Sequence, residues 1–241
     1  MSNFHALREE VWKANTALPA TGLVIHTFGN VSAIDRKQGA VAIKPSGIPY
    51  GVLRVEDIVV VDLRNNLLEG SLRPSSDVKT HLHLYRSFPK IGGIAHTHSR
   101  YATAWAQAMK PIPVLGTTHA DFCPGDIPCT KVMTDAAIRR AYEEETGRQI
   151  ANAFRSRSYE DTPMVLVACH GPFAWGRSAE AALYHAVMLE EIARTALLTL
   201  QVNPRTPRLK KTLLAKHFQR KHGPDAYYGQ LQAGTKGEPK Q

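Results

Sequence analysis

The sequence is poor in cysteine, with three in 241 residues, and aromatic side chains make up only 7%. The odd thiol count excludes a disulfide framework. Cys123 and Cys129 lie six positions apart in a Pro/Gly loop, a spacing no common structural zinc site uses, so all three read as ordinary thiols. Long hydrophobic runs are missing as well. The longest, Met164–Ala168 and Ile58–Val61, fall far short of the ~18 residues a membrane span requires. The first ten residues contain no apolar stretch of signal-peptide type, so no membrane partner and a cytoplasmic location are expected. Walker and dinucleotide fingerprints are absent, which argues against nucleotide chemistry.

Acidic residues are also scarce, 21 against 30 Lys and Arg, giving a net charge of +9. The excess is local. From Gln201 onward there are nine basic and two acidic residues, a net of +7, which leaves +2 for the first 200. No nucleic-acid motif accompanies that basic segment, and no nucleic-acid partner is expected. A phosphorylated substrate or an acidic neighbouring subunit would suit it equally.

With 43% hydrophobic residues and no low-complexity stretch, the chain can bury a sizeable core. Phe4, Leu7, Val11 and Ala14 predict an amphipathic helix over 3–17 that Pro19 ends. Short β-rich runs follow at Gly22–Phe28, Val31–Ile34, Val41–Lys44 and Ile58–Leu63. A helix is expected from Ser75-Ser76-Asp77 to just before Pro89, a strand over Ile91–His98, and helices over Arg100–Met109 and 134–154. A buried strand over 163–169, a long helix over 178–201 and a last helix over 207–220 complete the pattern. Strands and helices interleave without a linker or repeat. This predicts one α/β domain over residues 1–230, with a flexible tail over 231–241.

Chemistry is expected where histidines gather. His96 and His98 stand two apart at a predicted strand end, where such residues share a face and can grip one ion. His81 and His83 have the same spacing on a predicted helix, where they diverge by ~200° and cannot chelate. Asp77 and His81, four apart, do share a helix face. His170, between the apolar strand and the turn Gly171-Pro172, offers a third ligand. Three histidines with an open position describe a catalytic rather than a structural metal site. Several turns suit an anion: Gly29-Asn30, Lys44-Pro-Ser46-Gly47, and Ser75-Ser76 at a helix start.

These segments, with Pro74-Ser-Ser-Asp77, His96-Thr-His-Ser99, Thr117-Thr-His-Ala-Asp121, His170-Gly-Pro-Phe-Ala-Trp-Gly176 and Lys221-His-Gly-Pro-Asp-Ala-Tyr-Tyr-Gly-Gln230, resemble in order the class II aldolase superfamily. Within it they are most similar to the bacterial L-ribulose-5-phosphate 4-epimerases. The resemblance implies a central mixed or antiparallel sheet flanked by helices. It implies Zn²⁺, or another divalent ion, on His96, His98 and His170 with Asp77 close by. Asn30, Ser46, Gly47, Ser75 and Ser76 would line a phosphate pocket, with Lys44 and Thr27 nearby. Asp121 and Tyr228 would be the acid/base pair, assisted by His217 and Arg220. A homotetramer is implied, with Asp121 and Tyr228 entering the site from the neighbouring subunit. The expected reaction is epimerisation of a small phosphorylated ketopentose at C4 by retro-aldol cleavage and re-addition. A sugar-phosphate aldolase of the L-fuculose-phosphate type is the alternative. A non-catalytic assembly module is disfavoured, because such relatives are expected to lack the three histidines.

Overall fold

A computed structural model describes residues 3–224, 226 and 227. Tyr228 and the expected tail at 231–241 lie outside the described residues. The chain opens with helix α1 (His5–Ala17) and continues through strands β1 (Asn30–Asp35), β2 (Ala40–Ile43), β3 (Val59–Asp62) and β4 (Leu67–Glu69). Helix α2 (Val78–Ser87), strand β5 (Gly93–His96), α3 (Arg100–Gln107) and the single turn α4 (Thr117–Ala120) follow. Next come α5 (Asp135–Ala153), the pair β6 (Met164–Val167) and β7 (Gly171–Gly176), then α6 (Ala179–Val202) and α7 (Lys211–His222).

The strands form one sheet in the order β4-β3-β2-β1-β5-β7-β6, and every neighbouring pair is antiparallel. Side chains alternate across it. Val31, Ala33, Ala42, Val60, Ala95, Leu166 and Ala174 face one way and pack with Val11, Ala102, Ala106 and Leu189 of α1, α3 and α6. Val41, Ile43, Val59, Val61, Ile94, Val165, Phe173 and Trp175 face the other way, against Leu82, Tyr85 and Ile150 of α2 and α5. Burial on both faces explains why these strands read as near-continuous apolar runs. Helix α1 is pinned by Asn15. Its amide donates to Val31 O at 2.8 Å and accepts from Val31 N at 2.9 Å.

Four local expectations are corrected. Gly22–Phe28 is not a strand: His26 (φ 53°), Gly22 (φ 72°) and Gly29 (φ 90°) turn the backbone repeatedly into the left-handed region. The strand expected over 91–98 is shorter and ends at His96. Gly171-Pro172 begins β7 rather than closing a turn. The helix over 134–154 is broken at Ala141, whose φ of −168° and ψ of 73° interrupt the helical hydrogen bonding. The edge strand β4, short and half-exposed, carries little periodicity and gave no signal.

The second half of α5 approaches α2 closely at Gly147. A Cβ there would lie 2.6 Å from His83 Cβ and 3.1 Å from Thr80 O, both anchored atoms. Overpacking at Gly147→Ala costs about 1–3 kcal/mol against the ~1 kcal/mol gained in helix propensity, so the substitution should lower stability by up to about 2 kcal/mol. The midpoint of chemical denaturation reads the sign directly.

Candidate active site

The site forms where three central strands end on the α2 side of the sheet. The register sets Asn30 opposite His96 and His96 opposite Phe173. His96, 1% exposed, stacks on the Phe173 ring at 4.1 Å between centroids. Its Nδ1 donates to Pro172 O at 2.9 Å, which leaves Nε2 as a lone-pair donor. His98, just past β5, brings its Nε2 to 3.2 Å from His96 Nε2. The turn after it is held by Glu190, whose carboxylate accepts from Tyr101 N and Ala102 N at the start of α3. His170 closes the group from the β6–β7 turn, where Cys169 adopts φ 61°. One ligand atom from each of the three lies within 4.8 Å of the others.

Burial favours the neutral, ligating form of His98 and His170. Burial, reinforced by His96 and His98, pushes His170 down to about 4, and burial with His96 lowers His98 as well. Three imidazole nitrogens within 4.8 Å of one another, with a cavity on the open side, suit a divalent ion. Asp77 stands at the edge of this group, with Oδ2 4.0 Å from His96 Nε2. That oxygen accepts from Asn30 Nδ2 at 2.7 Å. Burial favours the neutral acid, but His96, His81 and the Asn30 amide together hold Asp77 below the usual carboxylate range. Beneath it His81 is fully buried and bonded to Ser32 Oγ at 2.7 Å, which also meets Tyr85 OH at 2.8 Å.

A cavity of about 370 Å³ opens over the histidines. Thr27, Asn30, Lys44, Ser46, Gly47, Ser75 and Ser76, the expected phosphate residues, all line it together with Asp77, His96, His98 and His170. Gly29 lets this happen: a Cβ there would sit 3.0 Å from His96 O, so the 27–29 loop passes over β5 only without one. Lys44 is 1% exposed. Its ammonium donates to Pro45 O at 3.3 Å and lies 4.8 Å from the Tyr50 ring centre. No carboxylate pairs with it among the described residues, and burial pushes it down to about 8. A buried cation facing a cavity without a counter-ion calls for an anionic ligand.

Asp121, His217 and Arg220 do not line this cavity. They form a separate cluster between α4 and α7. Asp121 accepts from His217 Nδ1 at 3.0 Å and from Arg220 Nε and Nη2 at 3.0 and 2.8 Å. Burial raises Asp121, but Arg220 and His217 outweigh it and hold the carboxylate ionised. Tyr142 and Glu143, at the start of the second half of α5, line the cavity and were missed in the sequence. Tyr142 OH lies 3.1 Å from His170 Nδ1. The only available signal was an aromatic residue interrupting a charged helix.

The family described as "Class II Aldolase and Adducin N-terminal domain" matches residues 9–197. Among solved structures, an L-fuculose 1-phosphate aldolase superposes with a TM-score of 0.78 at 27% identity, covering 91% of this chain and 97% of its own. YgbL from Klebsiella pneumoniae gives 0.67 at 26% identity, covering 90% and 99%. An L-fuculose-1-phosphate aldolase from Thermus thermophilus gives 0.66 at 25%, covering 83% and 98%. Among the described residues no helix is long and apolar enough to cross a membrane.

The burial of Lys44 makes a pH prediction. Its folded value of about 8 lies below the unfolded value near 10.4, so the folded chain binds fewer protons between them. Stability of the ligand-free protein should therefore rise with pH across that window, and Lys44→Met should abolish the rise. Affinity for inorganic phosphate, which needs the charged ammonium, should fall about tenfold from near pH 7 to about one unit above the lysine value. Calorimetric titration across that range checks both signs.

Proposed function

Since the chain belongs to the class II aldolase and adducin N-terminal domain family, we propose that it breaks and re-forms a carbon–carbon bond in a phosphorylated ketose, as a zinc-dependent L-ribulose-5-phosphate 4-epimerase. The observation that carries this reading is the pairing, in one cavity, of three clustered histidines with a buried lysine that no carboxylate pairs among the described residues. The first fits a Lewis acid and the second fits a phosphate. His96, His98 and His170 would hold the ion, with Asp77 beside it. Lys44, Asn30, Ser46, Gly47, Ser75, Ser76 and Thr27 would hold the phosphate.

The chemistry follows from the substrate. In a 2-ketose 5-phosphate, C4 is not adjacent to the carbonyl, so its hydrogen is not acidic and cannot simply be exchanged. Cleaving C3–C4 leaves the electron pair on C3, where the C2 carbonyl delocalises it as an enediolate. A divalent ion in the histidine group supplies charge stabilisation for that enediolate. The aldehyde fragment turns over while its phosphate stays on Lys44 and the serines, and re-addition inverts C4. The C4 oxygen gains and loses its proton on opposite faces in the two directions, so two groups are required. Asp121 and Tyr228 would fill those roles, with His217 and Arg220 setting the carboxylate. Because the Asp121 cluster does not line the cavity of its own chain, a neighbouring subunit of a homotetramer would deliver it. An aldolase that releases the aldehyde is the second reading, favoured by the 27% identical L-fuculose 1-phosphate aldolase.

Metal-analysed protein supplied with L-ribulose 5-phosphate should give D-xylulose 5-phosphate without accumulating free glycolaldehyde phosphate. Aldehyde accumulation would select the aldolase reading, and no turnover of either kind would reject both. Subunit sharing has its own test. Unfolding and co-refolding His96→Asn with Tyr228→Phe in equal amounts should restore activity at roughly a quarter of the interfaces, by counting subunit combinations around a ring. Activity that stays at the parental level in proven hybrids would mean each site uses one chain only.

A further inference from the structure

The three histidines are not held alike. His96 is locked by Pro172 O and by stacking on Phe173. His98 packs near Phe28, 5.9 Å between ring centres, and leads into the start of α3, which Glu190 holds. His170 sits on the turn between β6 and β7, and among the described residues its ring makes one hydrogen bond, to Tyr142 OH at 3.1 Å. Tyr142 itself stands on a fixed platform. Thr80 Oγ1 of α2 donates to Glu143 O at 2.6 Å, Thr146 Oγ1 donates to Tyr142 O at 2.8 Å, and Gly147 lies against His83. The break at Ala141 places Tyr142 in the first turn of this anchored half-helix.

We propose that Tyr142 is a positioning residue of the metal site: its phenol oxygen holds His170 Nδ1 and aims Nε2 at the point shared with His96 and His98. The inference rests on the metal-site reading given above. Its chemistry is definite in the proton count. A neutral imidazole that ligates through Nε2 carries its hydrogen on Nδ1, so Nδ1–H donates to the phenol oxygen. The phenol hydrogen is then no longer shared with His170 and is free for an acceptor in the cavity that Tyr142 lines. A partner on the non-ligating nitrogen fixes both ring orientation and tautomer, and removing such partners typically costs about 10–100-fold in metal affinity. A packing role alone would show no such dependence on the oxygen, because Tyr142 is 38% exposed and its phenol ring is retained in phenylalanine.

The test uses the full chain and Zn²⁺ or Co²⁺ as probes, with chelator competition for affinity and the Co²⁺ absorption bands for geometry. Wild type should take up one ion and His170→Asn should lose it. Tyr142→Phe should bind about 10–100-fold more weakly with shifted Co²⁺ bands, while its metal-free melting temperature stays at the wild-type value. Affinity within about twofold of wild type and unchanged bands would overturn the inference while leaving the metal reading intact. No uptake by wild type would instead overturn the metal reading and this inference with it. Should Tyr142→Phe fail to fold, imidazole ¹⁵N–¹H spectra of the zinc-loaded wild type decide the matter. A protected, hydrogen-bonded His170 Nδ1–H supports the tether, and a rapidly exchanging one refutes it.

Discussion

The register of three antiparallel strands, β1, β5 and β7, is the constraint on which the site depends. It lays Asn30, His96 and Phe173 in a row on one face of the sheet. A slip of one residue would turn His96 into the packed layer beneath α1, α3 and α6 and leave a small apolar residue in its place. The row is locked from both sides. Asn15 of α1 grips Val31 beside Asn30, and on the other face His81 and Tyr85 of α2 both meet Ser32. The helix that carries Asp77 at its start is thereby keyed to the strand that carries Asn30, and the 2.7 Å Asn30–Asp77 bond follows from that fit.

Electrostatics divides the cavity into two ends. At one end burial favours the neutral forms of His98 and His170, leaving lone pairs. At the other it weakens, without abolishing, the positive charge of Lys44. Both arrangements cost stability in the unliganded chain, as do Asn30 Oδ1 and His81 Nε2, which are buried without a hydrogen-bond partner among the described residues. On the α2–α5 side Phe88, Phe154 and Trp175 pack as a buried aromatic cluster.

Those features legible in the sequence were short-range ones. His96 and His98 stand two residues apart on one backbone, and Ser75-Ser76-Asp77 begins a helix that its own residues specify. The three-histidine group needed only that two strand ends come together, which a single sheet makes easy. What escaped was set by tertiary contact. Tyr142 lies in a run of Ala, Tyr and three Glu that reads as a solvated helix face, and the break at Ala141 has neither Gly nor Pro to announce it. Gly171-Pro172 has turn composition, yet Pro172 lacks only a donor, and its carbonyl serves His96 Nδ1 within β7. Gly22–Phe28 has strand-like composition, but its backbone is bent at His26 and Gly29 to carry Thr27 and Phe28 to the cavity rim.

The separation of Asp121 from the cavity has a physical consequence within the proposed reaction. A carboxylate that accepts three N–H bonds from Arg220 and His217 is strongly held as an anion, and its hydrogen bonds fix it to α7 rather than to the sheet. Placed beside Lys44 in the same chain, that anion would oppose the phosphate proposed to bind there. Delivered instead across a subunit boundary, it can meet the substrate at the C4 end while the phosphate remains against Lys44 and the α2 N-terminus. In that proposal the basic residues of α7 would have a second use, Arg220 offsetting the carboxylate while the remaining lysines draw in a dianionic sugar. In the proposed tetramer two charges of like sign would stay on different rigid bodies, and assembly would bring them to opposite ends of one substrate.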